Sequence, residues 1–299
     1  MSDFRNKTPN ARFCRRAQAL AILGLLLLAS GCAVPQPRGG GELTRQVEPT
    51  TKRGYWRYLP QAYVAGTEQE RASRRWPVVV SFHGMKPFDS AYAQAREWEA
   101  EADRYGFIVV APELRAVSLL GEFPIRHVNP ALASDEAATL AILDDLFATT
   151  AADRRAVLAT SWSSGGYLAH YFLNHYPERF TCLAVRQSNF SESILDESAV
   201  GRSRQHPVLI VNTQNDFAIC KRESKRAVEW YNTHGYANVA WFWLKGLGHE
   251  RTPDVAAAFF GRVIGLAPAE PPGALVRRQA IDGASRSPAL FPTLSTTGL

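Results

Sequence analysis

The feature that most constrains this chain is an alternation between short apolar runs rich in Val, Ile, Phe and Trp and amphipathic stretches of helical period. The runs are Tyr55–Leu59, Pro77–Phe82, Phe107–Ala111, Ala156–Ser161, Thr181–Arg186, Val208–Asn212 and Val239–Leu244. Between them, helices are expected at Ala91–Tyr105, Asp135–Ala148 (with Ser134 as N-cap), Ser164–Tyr176, Ser224–Thr233 and Asp254–Leu266. Near-continuous apolar runs belong to strands covered on both faces, so the expected fold class is α/β, a mostly parallel sheet flanked by helices. Ser188 to His206 is too short for a large inserted cap domain. Leu114 to Ala133 has about 20 residues without periodicity, a length that in compact domains usually signals function.

Composition narrows the class further. A chain of 299 residues with 46% hydrophobic and 21% charged residues is globular rather than disordered, and the absence of an internal period excludes a solenoid or propeller. The formal charge of +6 points to no nucleic-acid partner once its placement is considered. Residues 1–31 hold Arg5, Lys7, Arg12, Arg15 and Arg16 against Asp3; without them, 29 basic and 27 acidic residues remain, a net charge of +2.

That basic segment runs into an apolar stretch, Ala17 to Leu28, and then Ala29-Ser30-Gly31-Cys32, the order of a secretory signal peptide. A run of about 12 residues is short for a ~30 Å hydrocarbon core. Small residues directly before a cysteine resemble the lipobox of bacterial lipoproteins. The resemblance implies removal of residues 1–31, lipidation of Cys32, and a lipid anchor in the bacterial cell envelope facing periplasm or cell exterior. Several acyl chains on one cysteine hold a protein on a membrane durably. Residues 32–51, with Pro35, Pro37 and Gly39-Gly40-Gly41, then read as a flexible tether. Residues 52–266 read as the main folded domain, and the Pro/Ser/Thr-rich residues 267–299 as a tail. Of the remaining cysteines, Cys182 opens one expected strand and Cys220 follows the end of the next. That puts them at opposite edges of the sheet, beyond the ~7 Å between Cα atoms that a disulfide tolerates, so both are expected free, with Cys182 a small core residue.

Chemistry concentrates at Ser161-Trp162-Ser163-Ser164-Gly165-Gly166, between an expected strand and an expected helix. A nucleophile in a strained strand-to-helix turn requires small residues two positions before and after it. Ser163 satisfies this with Ser161 and Gly165, whereas Ser164 would put Trp162 in the tight position. Serine needs a base, itself oriented by a carboxylate. Asp216 follows the strand Val208–Asn212, and His249 follows the next strand within Gly246-Leu247-Gly248-His249. An oxyanion needs two amides; Ser164 supplies one, and Met85, after Phe82-His83-Gly84, the other. Gly84 permits close backbone approach, and His83 reads as a brace for that loop. Asp135 and Glu136 read as first-turn charges complementing a helix dipole. His127, His170, His175, His206 and His234 show no ligand spacing with acidic or cysteine partners, so no metal and no cofactor are expected.

Tyr58-Leu59-Pro60, Val80-Ser81-Phe82-His83-Gly84, Val109-Val110-Ala111-Pro112-Glu113, the turn at Ser163, Asn215-Asp216 and Gly248-His249 together resemble the α/β-hydrolase superfamily. Within it, the chain is similar to secreted esterases of the polyhydroxybutyrate depolymerase and feruloyl or acetylxylan esterase type. The resemblance implies Ser163 as nucleophile, His249 as base, Asp216 as orienting acid and the Met85 and Ser164 amides as oxyanion hole, acting on small or polymeric esters. Ser161 stands where the family motif has glycine. Trp162, Phe88 and the Leu119–Phe123 segment are candidates for an apolar acyl or aryl pocket. A peptidase or lipase on the same triad, or a non-catalytic binding lipoprotein with a vestigial triad, are the alternative readings.

Overall fold

The computed structural model describes residues 39–267, all within one compact unit. The signal, Cys32 and the C-terminal tail lie outside the described residues. Eight strands form one sheet in the order β1-β2-β4-β3-β5-β6-β7-β8. They are β1 Glu42–Val47, β2 Gly54–Leu59, β3 Trp76–Phe82, β4 Ile108–Pro112, β5 Ala152–Trp162, β6 Cys182–Arg186, β7 Val208–Thr213 and β8 Val239–Leu244. The pairings β1–β2 and β2–β4 are antiparallel; all those from β4 through β8 are parallel.

Along β3 the side chains divide by the strand period of two. Val78, Val80 and Phe82 join one core, with residues of the helices α5 Pro130–Thr149, α6 Gly166–His175 and α8 Ala218–Thr233. Val79 faces the other core, with Trp98, Tyr105, Phe259 and Phe260 from around α4 Glu99–Tyr105 and α9 Pro253–Val263. Covering on both faces explains why β3, β4, β6 and β7 are buried along their whole length. Between β6 and β7 stand only two 3₁₀ turns and the four-residue α7 Val200–Ser203. No large cap covers the sheet among the described residues.

Several expectations need correction. The segment read as tether contains β1, whose polar, half-exposed residues carry no apolar run; its identity comes from pairing with β2, Leu43 opposite Tyr58 and Arg45 opposite Trp56. The helix expected at 91–105 is two helices, α3 Ala91–Glu97 and α4, meeting at Trp98. Two further short helices, α1 Gln61–Ala65 and α2 Glu68–Ser73, lie between β2 and β3, the latter opened by a Thr67/Glu70 capping box.

Ser134 is not the N-cap of α5. Asn129 is, its side chain accepting from Leu132 N at 2.9 Å with Pro130 at the first helical position. Asp135 is therefore inside the helix, not in a first turn that complements the dipole. Buried, it accepts from the amides of Arg115 and Ala116 and pairs with Arg53, pinning the chain where it leaves β4. Glu136 accepts from the Tyr176 hydroxyl. Cys182 and Cys220 are both free, as their places in the layout predict; Cys182 is a core residue as expected, and Cys220 is buried too.

Candidate active site

The turn after β5 is sterically determined. Ser163 has φ +55, a left-handed backbone that costs a non-glycine residue about 1–3 kcal/mol, and it opens a 3₁₀ turn that runs into α6. A Cβ on Gly165 would lie 2.1 Å from the Phe82 carbonyl oxygen, and one on Gly166 2.3 Å from that of Asn189, so neither position accepts a side chain without backbone movement. Asn189 N donates to Ser163 O at 3.1 Å and ties the turn to the chain after β6. Ser161, in the place of the motif's first glycine, is buried with its hydroxyl 2.9 Å from that of Ser188. Sequence reasoning saw only that a small residue fits there; this hydroxyl pair is the structural addition.

The loop after β3 packs on this turn, a Cβ at Gly84 coming within 3.2 Å of Ser163 Cβ. Gly84 N donates to Asp89 Oδ2 at 2.6 Å. The amides of Met85 and Ser164 have no acceptor among the described residues. His83 is fully buried, its Nε2 accepting from Leu114 N at 3.0 Å and its Nδ1 donating to Gly84 O at 2.7 Å. Burial lowers its pKa to about 4 and keeps it neutral, so it braces the loop. Lys86 N donates to Val117 O and Leu119 N to Lys86 O, anchoring part of the long 113–129 connection against this loop.

Asp216 and His249 meet at the carboxyl ends of β7 and β8. His249 Nδ1 donates to Asp216 Oδ1 at 2.6 Å, and Phe217 N donates to the same oxygen at 2.7 Å. Asp216 Oδ2 is buried without a hydrogen-bond partner. The His249 ring packs between Trp162, 4.5 Å away, and Phe217, 4.7 Å away. Thr213 Oγ1 donates to Gly248 O at 2.5 Å and Asn215 N to Leu247 O at 2.9 Å, joining the two loops. No hydrogen bond joins Ser163 Oγ to His249 in this structure. The ring contact between Trp162 and His249 nevertheless puts the imidazole beside the serine's neighbour.

Sequence reasoning missed a buried quartet of charges next to this site. Arg251 donates to Asp89 Oδ1 at 2.6 Å and to Glu97 Oε2 at 2.8 Å, and Glu97 also pairs with Arg186. Burial works against the Arg251 charge, but Glu97 and Asp89 outweigh it and raise its pKa above the ordinary value. The guanidinium lies 4.3 Å from the Trp162 ring centroid. Asp89 thus holds Gly84 with one oxygen and, through Arg251, the His249 loop with the other. No local signal marks residues more than 150 positions apart as partners. Trp162, 2% exposed between Arg251 and His249, is packed floor rather than open pocket wall. Leu119 and Leu120 are exposed, and Phe123 packs on Tyr167.

Among the described residues, one group of three could hold a metal, Asp216, Cys220 and His249. No curated protein matches the sequence. Among solved structures, a thermostable esterase is 16% identical with a TM-score of 0.51, over 75% of this chain; the chain spans 60% of that protein's length. A ferulic acid esterase of Anaeromyces mucronatus is 16% identical, TM-score 0.55, over 78% of this chain and 93% of its own. A thermophilic carboxylesterase cloned from a metagenomic library is 16% identical, TM-score 0.56, over 84% and 98%. These likenesses establish an α/β-hydrolase fold. Residues 59–222 match the Esterase PHB depolymerase family, a stretch that includes Gly84, Ser163 and Asp216 and stops before β8 and His249. The chain belongs to that family and is a carboxylic ester hydrolase of the α/β-hydrolase fold.

Proposed function

We propose that the chain is a membrane-tethered serine esterase of the bacterial cell envelope, working through an acyl-enzyme on Ser163 with His249 as base and Asp216 as orienting acid. The observation that carries this reading is the 2.6 Å bond from His249 Nδ1 to Asp216 beside a left-handed Ser163 at a strand-to-helix turn. Ionised Asp216 holds the proton on Nδ1, which leaves the Nε2 lone pair to take the Ser163 proton. Ser163 Oγ attacks the ester carbonyl carbon, and the oxyanion receives the Met85 and Ser164 amides, each worth about 3 kcal/mol. As the tetrahedral intermediate collapses, His249 returns the proton to the departing alcohol. Water then attacks the acyl-enzyme by the same route, with its proton passing to His249, and the acid leaves. The hydrogen bond between serine and imidazole forms as substrate closes the site, as catalytic contacts often do.

Small or polymeric carboxylic esters are the proposed substrates; the names of the structural neighbours, ferulic acid esterase and carboxylesterase, support that class. The tether rests on the sequence alone, on the apolar run ending in Ala29-Ser30-Gly31-Cys32. None of the described helices is long and apolar enough to cross a membrane.

The test is hydrolysis of a p-nitrophenyl acyl series by wild type and Ser163→Ala. A loss of ~10³-fold or more in the variant is expected for a removed triad member. Equal inactivity of both folded proteins on every ester, with no fluorophosphonate labelling of wild type, overturns the reading in favour of a binding lipoprotein. For the anchor, radiolabelled palmitate is expected in wild type expressed in a bacterium and absent from Cys32→Ser. Membrane retention of an unlabelled wild type refutes it.

A further inference from the structure

Asp216 Oδ2 is a carboxylate oxygen buried without a partner, on a residue 5% exposed. An unsatisfied buried acceptor carries an uncompensated desolvation penalty, larger when it is charged, so a cation at this atom would relieve a real deficit. Two further donors stand around it. Cys220, in the first turn of α8 and four residues after Asp216, is 2% exposed, and helical side chains lean toward the N-terminus, back toward Asp216. His249 completes the group, and one ligand atom from each of the three lies within 4.8 Å of the others. By contrast, the neighbouring Glu223 is engaged by Asn189, Phe190, Tyr167 and Arg126. Cys182, the other described thiol, lies in the apolar core of β6.

We infer that Asp216, Cys220 and His249 form an inhibitory site for a thiophilic divalent cation such as Zn²⁺ or Cd²⁺. One sulfur, one imidazole nitrogen and one carboxylate oxygen is a donor set suited to a tetrahedral ion, with water in the fourth position. The bond lengths of about 2.0–2.3 Å place ligand atoms roughly 3.5 Å apart, within reach of the observed cluster by side-chain adjustment. The ion enters past His249, whose side chain is 12% exposed. On binding, the Cys220 thiol releases its proton to solvent. The Nδ1 proton of His249 gives way to the ion and the ring carries its proton on Nε2, so two negative ligands balance the divalent charge. Inhibition follows from the proposed triad and rests on it: an imidazole protonated at Nε2 cannot accept the Ser163 proton, and Asp216 no longer orients the ring.

The test titrates the full chain, with Cys14 and Cys32 replaced by serine throughout, with CdCl₂, following the ultraviolet cadmium–thiolate charge-transfer band and ester hydrolysis together. One equivalent is expected to raise a band that Cys220→Ala lacks and Cys182→Ala keeps. Wild-type turnover falls with the same titration and returns on adding EDTA. Cys220→Ala keeps its basal turnover and needs at least about tenfold more Cd²⁺ for half-inhibition, since even an outer-sphere partner's loss weakens metal sites about 10–100-fold. Cys220→Ser serves if the alanine variant folds poorly. A band that persists in the Cys220 variants, or inhibition equal in variant and wild type, overturns the site. If wild type hydrolyses no ester, the esterase mechanism falls, and the charge-transfer band alone decides the cation site.

Discussion

The two halves of the site are held by different forces. The turn at Ser163 is bounded by backbone: Gly165 and Gly166 lie where any Cβ would strike a carbonyl oxygen at 2.1 and 2.3 Å. The His249 loop has room. Gly246 sits in open space at φ +75, and the nearest atom to a Cβ on Gly248 is 4.0 Å away. That loop is held by polar contacts instead, from Asp216 to His249, from Thr213 to Gly248, and from Arg251 to Asp89 and Glu97. One half is fixed by excluded volume, the other by electrostatics in a desolvated setting. Steric fixation tolerates no added atom, whereas electrostatic fixation tolerates atoms but not lost charge.

The largest expected effect tests the electrostatic half. Asp216→Asn should lower kcat by about 10³–10⁴-fold on a p-nitrophenyl ester with the circular dichroism spectrum unchanged, because the amide no longer enforces the Nδ1–H tautomer. A loss under tenfold would detach Asp216 from the mechanism. Next, Arg251→Met leaves the carboxylates of Asp89 and Glu97 with Arg186 as the sole cation of the quartet. Breaking a buried pair this way costs about 3–5 kcal/mol, read as a lower urea midpoint. A shift below about 1 kcal/mol would mean that solvent reaches the quartet. On the steric half, Gly165→Ala is expected to cost about 3 kcal/mol, measured the same way.

Acid should also act on the steric half, which contains His83 and His170. Burial lowers their pKa values to about 4 and about 3 from 6.5, so the unfolded chain binds more protons below pH 6.5. Their stabilising contribution is complete above that pH and is lost as pH falls toward 4, on the order of 3 kcal/mol for each. Thermal unfolding between pH 7 and pH 4 should show a falling Tm; a flat profile would mean that both rings are already charged in the fold. The smallest effect completes the contrast. Gly248→Ala, the same chemical change as Gly165→Ala, should shift stability by no more than about 0.5 kcal/mol in the same urea series.

What could be read in advance follows this division. The elbow is local: six consecutive residues, Ser161 to Gly166, carry the small-residue pattern that the close approach of Phe82 and Asn189 demands. Apolar runs likewise announced β3, β4, β6 and β7, because both faces of those strands are buried and polar residues are excluded from them. Asn129, not the expected Ser134, caps α5 because its side chain reaches the Leu132 amide and Pro130 suits the first helical position. β1 carries no apolar run to announce it, because an edge strand needs only one partner and Glu42-Leu43-Thr44-Arg45-Gln46-Val47 is largely polar.

The sequence by itself determined the alternation that makes a two-faced parallel sheet, the turn that strains Ser163, and the order in which Ser163, Asp216 and His249 follow β5, β7 and β8. The reason is that burial and close backbone approach restrict residue type at each position separately. Only the tertiary structure decided that Arg251 joins Asp89 and Glu97, that His249 rests between Trp162 and Phe217, and that Asp216 keeps a buried oxygen facing a group with Cys220. Those contacts join side chains from separate elements of the fold, and such partners meet through space, with no periodicity along the chain to announce them.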